Sequence, residues 1–150
     1  MKVKRIDSNV NLPTKATDGS AGYDLQAAIS EQLVLLPGES KLIPTGLAIH
    51  IDDPSKVAFI LPRSKLGSKQ GLVVGNLTGV IDSDYQGQWF VSAWNRNTIS
   101  SVLIEPYQAI AQFVVLQLAK DDFEVVEEFD TVTARADGGI TKDVDTGKQV

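Results

Sequence analysis

Apolar positions along this chain gather in short blocks and draw no long helical stripe. Runs rich in β-branched and aromatic residues stand at 32–36, 47–51, 57–61, 89–94, 102–104 and 110–118. Between them lie turn formers, among them Pro37-Gly38, Asp52-Asp53-Pro54, Asn95-Arg96-Asn97 and Asp121-Asp122. Short apolar runs punctuated this way predict strands, and many of them in sequence predict an all-β sandwich or barrel. No segment sustains a 3.6-residue apolar face; the one short helix expected is a turn over 65–69 with Ser64 as its cap. No internal repeat is present.

The 110–118 run is apolar on both parities: Ile110, Val114, Leu116 and Leu118 on one, Ala111, Phe113 and Val115 on the other. A strand presents alternate residues to opposite faces, and a sandwich core covers only one of them. The second apolar face therefore predicts packing against another subunit. After Phe129 the apolar residues thin out into Gly, Asp, Thr and Lys. This reads as one β domain over 1–130 and a flexible C-terminal arm over 131–150 that orders on binding and can close over a site.

Composition narrows the partners. The 150 residues carry a formal net charge of -5, which argues against nucleic-acid or acidic-membrane surfaces, since those need a basic field. Any phosphate site must be local. The absence of cysteine excludes disulfides, a thiol nucleophile and thiolate zinc sites, and fits a reducing compartment, the cytoplasm. The N-terminal segment has no apolar core and the greasiest run is broken by Gln112 and Gln117, so neither a leader nor a membrane span is expected. His50, the sole histidine, leaves no histidine metal cluster and no Ser-His-Asp machine.

Two segments could carry chemistry. The first, Pro62-Arg63-Ser64-Lys65-Leu66-Gly67-Ser68-Lys69, sets a fork-shaped cation, hydroxyls and lysines beside a glycine at a strand end. Phosphate oxygens take such donors, and glycine lets a ligand approach the backbone; the same segment also reads as a solvated basic turn. The second, Gly75 to Gly87, looks like a hairpin whose tip carries Asp82, Asp84 and Tyr85. A carboxylate held at a strand end can serve as a general base for water. Asp82, which follows Val80 and Ile81, is expected to be partly buried, and Asp84 reads as an exposed turn acid. Gln112 points its amide among apolar residues and needs a partner, either a ligand or a neighbouring strand. Asp24, in a small-residue turn, is the least specific of these positions.

Read in order, AGYDL, PRSKLGSK, GNLTGVIDSDYQGQ and IAQF resemble the first four signature motifs of the trimeric deoxyuridine triphosphatases, with a glycine-containing tail where the fifth belongs. The resemblance spans nearly the whole chain. It implies a jelly-roll-like β fold, a homotrimer, and active sites assembled from more than one chain that cleave dUTP to dUMP and pyrophosphate with Mg2+. By this resemblance Asp82 activates the water, Tyr85 lies under the deoxyribose, and Asn76 with nearby backbone reads the uracil edge. Arg63, Ser64, Gly67 and Gln112 match the phosphate side, and Asp24 matches an acid that orders waters near the metal, which takes no direct protein ligand. Three positions depart: Ala109 stands where the family usually has an arginine, Lys65 replaces a small residue, and Ile140 replaces the phenylalanine that stacks on uracil. These departures keep open a dUTP-binding regulatory protein with reduced turnover. A related deoxycytidine triphosphate deaminase is the other alternative.

Overall fold

The computed structural model describes residues 1–119 and 121–134. The chain divides into two compact units, Met1–Lys120 and Asp121–Val150. In the first, ten strands follow in order: β1 (Lys2–Arg5), β2 (Tyr23–Gln26), β3 (Leu33–Leu35), β4 (Ser40–His50), β5 (Lys56–Pro62), β6 (Leu72–Val74), β7 (Gly79–Ile81), β8 (Gln88–Asn95), β9 (Val102–Ile104) and β10 (Ala109–Gln117). They form one antiparallel sheet β1-β4-β8-β6, a second β2-β10-β5-β7, and a small pair β3-β9. This is the all-β sandwich that the patterning predicts, of the jelly-roll type that the resemblance implies.

Alternation builds the core. On β8 Trp89, Val91 and Ala93 are buried while Phe90 between them is exposed, the period-2 signature of a strand with one covered face. Trp89 of the first sheet meets Phe113 of the second edge-on at 5.1 Å, a geometry the ring quadrupoles favour. The Trp89 indole N-H donates to the Ile49 carbonyl at 3.1 Å, so the largest core side chain leaves no polar atom stranded. Two bulged registers shape the sandwich, one between Ala109 and Ala111 on β10 and one between Pro44 and Ala48 on β4. Gly46 in the latter has φ +69, and a Cβ there would press on Asp7, Ala28 and Val10. No other residue fits that bend without strain.

Two expectations change, and a third stays open. Ser64 does not cap the short helix: Ser64 and Lys65 are themselves helical, and Leu66–Gln70 continues as a π-type turn closed by the Gly71 N-H on the Leu66 carbonyl. The segment over 75–87 is not a hairpin with its own ladder, because β6 pairs with β8 in the first sheet while β7 pairs with β5 in the second. The chain instead crosses between sheets there. Finally, β10 buries Ala111 and Phe113 on its core face, whereas on the other face Val114 is half-buried and Leu116 is 44% exposed. The described residues leave that second apolar face partly exposed. In the second unit the described residues hold neither helix nor strand, and Phe123, Val125, Phe129 and Val132 are exposed.

Candidate active site

Strand order brings three distant segments together. β10 lies between β2 and β5, so Gln112 stands opposite Asp24 on one side and Leu61 on the other. Just past the end of β5, Arg63 opens the helical turn. The result is a cavity of about 470 Å³ walled by Gly22, Asp24, Arg63, Ser64, Lys65 and Gln112 with small residues around them. Arg63 forks onto Asp24, Nε to Oδ1 at 2.9 Å and Nη2 to Oδ2 at 3.2 Å, and its Nη1 donates to the Ala109 carbonyl at 3.1 Å. Such a bidentate pair fixes both side chains in a plane.

Gln112 satisfies its amide with the neighbouring strand end: Nε2 donates to the Pro62 carbonyl at 3.0 Å. Its Oε1 lies against Gly22, where an added Cβ would collide with it. Sequence reasoning names Gln112 but misses Gly22, whose role comes from a contact ninety positions away. The only sequence signal is a glycine inside a strand-leading segment. At Gly67 a Cβ would meet only ordinary contacts, so nothing within the described residues requires the missing side chain there.

A second recess, of about 260 Å³, lies between Val80, Ile81, Asp82, Tyr85, Trp89 and Phe90. Asp82 leaves the end of β7 and is exposed, contrary to the partial burial expected from Val80 and Ile81. The reason is topological: β7 is a three-residue edge strand, and Val80 itself is 59% exposed. The Asp82 carboxylate has no hydrogen bond or ion pair with any other described residue. Its carbonyl accepts the Tyr85 N-H at 3.3 Å, and the Tyr85 hydroxyl donates to the Gln88 carbonyl at 3.0 Å. The phenol lies over Gly87, where a Cβ would strike it, so Gly87 sets where the ring can rest.

The Asp82 loop is held from below by a residue that the motifs do not include. The Asp52 N-H donates to the Ser83 carbonyl at 3.0 Å, with Asp52 at φ 59, a conformation Asp and Asn tolerate better than most. The Asp52 carboxyl takes Lys2 Nζ at 2.6 Å. That hydrogen bond, then the lysine charge and then His50, hold it below the usual carboxylate range.

The sequence-nominated residues thus fall into two groups within one chain. Asp24, Arg63, Ser64 and Gln112 line the larger cavity, and Asp82 and Tyr85 line the smaller. Asn76 is exposed in the crossing turn beside Leu77, which has φ 63, and lines neither. Gly67 sits in the π-type turn. Ile140 lies outside the described residues. Among the described residues no three His, Cys, Asp or Glu side chains gather to hold a metal, and none of their helices is long and apolar enough to cross a membrane.

Known proteins resemble this chain in sequence and in fold. A family model described as dUTPase matches residues 8–142. A deoxyuridine 5'-triphosphate nucleotidohydrolase of Klebsiella pneumoniae strain 342 is 55% identical over 135 residues, covering 90% of this chain and 88% of that protein. Its counterpart in Thiobacillus denitrificans is 50% identical over 151 residues, covering 99% and 100%. Among solved structures, the Staphylococcus bacteriophage 80alpha dUTPase with dUPNHPP superposes with a TM-score of 0.82 at 28% identity, over 92% of this chain and 94% of that one. A phage phi11 dUTPase mutant, described as coordinating a structural Mg(II) ion, gives 0.77 at 26% identity over 87% and 98%. With the motifs, the sandwich and both recesses in place, the chain belongs to the dUTPase family.

Proposed function

We propose that this chain is a dUTP diphosphatase that hydrolyses dUTP to dUMP and pyrophosphate, with Asp82 as the general base. The observation that carries this reading is the contrast between its two recess acids. Asp24 is locked in a fork with Arg63, whereas the Asp82 carboxylate is exposed at the smaller recess and has no partner among the described residues. A base must have its lone pairs available within reach of the water it deprotonates. Asp82 takes one proton from water as the oxygen attacks the α-phosphorus. The bond from that phosphorus to the oxygen bridging to the β-phosphate breaks, and pyrophosphate leaves.

Tyr85, fixed over Gly87, lies under the deoxyribose and leaves no room for a 2′-hydroxyl. Asn76 and the backbone of the crossing turn read the uracil edge, where a cytosine would strand buried polar groups. Ser64, Gln112 and the Arg63 side of the larger cavity receive the phosphates, and Gly67 lets them approach the backbone. Ile140, which the resemblance sets against the base, lies outside the described residues. The oxygen donors of the two recesses suit Mg2+: Asp24 would help hold it through water, and the ion would supply charge neutralisation along the phosphate chain.

The active assembly in this reading is a homotrimer in the cytoplasm, each site joining the larger cavity of one subunit to the Asp82 recess of another. Two features support it: the functional groups split between two recesses, and the apolar outer face of the second sheet, where Val114 pairs with Phe59 and Phe59 with Val80, is left half-open. Such a face is covered in a stable protein. The test is a product assay on dUTP, dCTP and dTTP with Mg2+ in H₂¹⁸O. The expected result is pyrophosphate and ¹⁸O-labelled dUMP from dUTP alone, abolished in Asp82→Asn. Ammonia from dCTP, or tight dUTP binding with no turnover in the unaltered chain, overturns it.

A further inference from the structure

The larger cavity is built with an imbalance of charge. Its wall carries one carboxylate, Asp24, and two cations, Arg63 and Lys65. Arg63 is committed: its fork neutralises Asp24, and a third N-H is spent on the Ala109 carbonyl. A guanidinium so paired presents a dipole more than a free charge. Lys65 is different. It is exposed, sits in the same wall, and forms no ion pair or hydrogen bond with any other described residue.

The other cations nearby are directed elsewhere. Arg96 donates to the Gly67 carbonyl at 2.9 Å, Lys15 stands 5.2 Å from the centre of the Tyr23 ring, and Lys69 lines a separate cavity with Gln70 and Asn97. In a chain of net charge -5, the attraction a polyphosphate feels at this cavity must come from local positive charge, and an ammonium on a flexible four-carbon stem can follow oxygens that a rigid fork cannot.

We infer that Lys65 is the charge-bearing determinant for the polyphosphate chain: its ammonium recognises the phosphates beyond the first and grades affinity by phosphate number. The inference rests on the proposed dUTP-hydrolase reading. Arg63 keeps its place on the phosphate side and also holds Asp24 and the β10 backbone in position.

The experiment measures binding of dUpNHpp, dUDP and dUMP to the full-length protein by calorimetry at several salt concentrations, for the unaltered chain and for Lys65→Met, Lys65→Arg and Lys69→Met. The expected Lys65→Met result is affinity for dUpNHpp lower by about tenfold, a figure in keeping with one solvent-screened charge. The loss for dUDP should be smaller and that for dUMP within about twofold, with a flatter salt dependence throughout. Lys65→Arg restores the grading and Lys69→Met leaves it unchanged. Equal losses for all three nucleotides, unaltered dUpNHpp affinity in Lys65→Met, or the same grading lost in Lys69→Met each overturns the inference. If the unaltered chain neither binds nor cleaves dUTP, it is the functional reading itself that fails.

Discussion

The two recesses are made in opposite ways. The larger one is set by paired strands: Gln112 lies between Asp24 and Leu61 in the ladder, its amide is tied to Pro62, and Arg63 is forked onto Asp24. The smaller one is set by turns and an edge strand, and its two chemical residues, Asp82 and Tyr85, are both exposed. A laddered wall keeps its side chains in place unaided, because each is braced by neighbours on both sides. A wall of turns keeps its backbone but leaves its side chains to water. The contrast teaches that one recess is braced by strand pairing within the chain, while the other holds its reactive groups out at an edge strand and a turn.

The sharpest way to break this comparison is subunit mixing. Asp82→Asn and the double variant Ser64→Ala/Gln112→Ala are each expected to lose dUTP turnover, the former by about 10²–10⁴-fold as for removal of a general base. Refolding them together should recover activity well above either baseline, limited to the share of sites in which an intact wall meets an intact Asp82, if the recesses of different subunits cooperate. Homogeneous variants carried through the same refolding provide the baseline. Absence of recovery in trimers shown to be mixed by mass would mean that each chain uses its own pair of recesses.

A smaller effect is expected at Gly22. Gly22→Val places side-chain atoms where the Gln112 Oε1 now lies and should push the amide off Pro62. KM for dUTP should rise by about tenfold, equivalent to about 1.4 kcal/mol of lost binding, with kcat reduced less. A variant whose kcat falls while KM holds would mean that the braced wall does not serve ground-state binding.

The smallest effect concerns acid stability at the turn under the Asp82 loop. The Asp52 carboxyl titrates below its usual range because Lys2 bonds its charged form. Its stabilising contribution is therefore present above the unfolded-state value and lost as pH falls through the lower folded value. Asp52→Asn, which keeps a residue tolerant of the left-handed backbone, should lower Tm slightly at pH 6, with the gap to the unaltered protein closing toward pH 3. Asp53, held low by Lys56, remains in both. A gap that widens on acidification would contradict the sign.

Much of this was legible in the chain. The runs at 57–61, 89–94 and 102–104 are strands nearly as patterned, because each alternates against a core face. β1 was illegible: Lys2, Val3, Lys4 and Arg5 are all exposed, and only pairing with β4 makes them a strand. β2 and β6 escaped for another reason: each is a short strand directly after a glycine, in a segment that reads as turn. At the candidate site, the motif residues were named from the sequence, but Asp82 was placed half-inside because two apolar residues precede it.

The sequence by itself therefore determined the β class, the sandwich, the family and the residue types available for phosphate, sugar and water, since alternation and local turn chemistry are written in neighbouring positions. Only the tertiary structure decided that Arg63 belongs to Asp24, that Gly22 makes space for Gln112, that Lys65 has no partner among the described residues, and that Asp82 stands in a different recess from Arg63 and Gln112. Those outcomes depend on which distant strands pair and in what register, and long-range pairing is fixed by the closure of the whole sandwich rather than by any one segment.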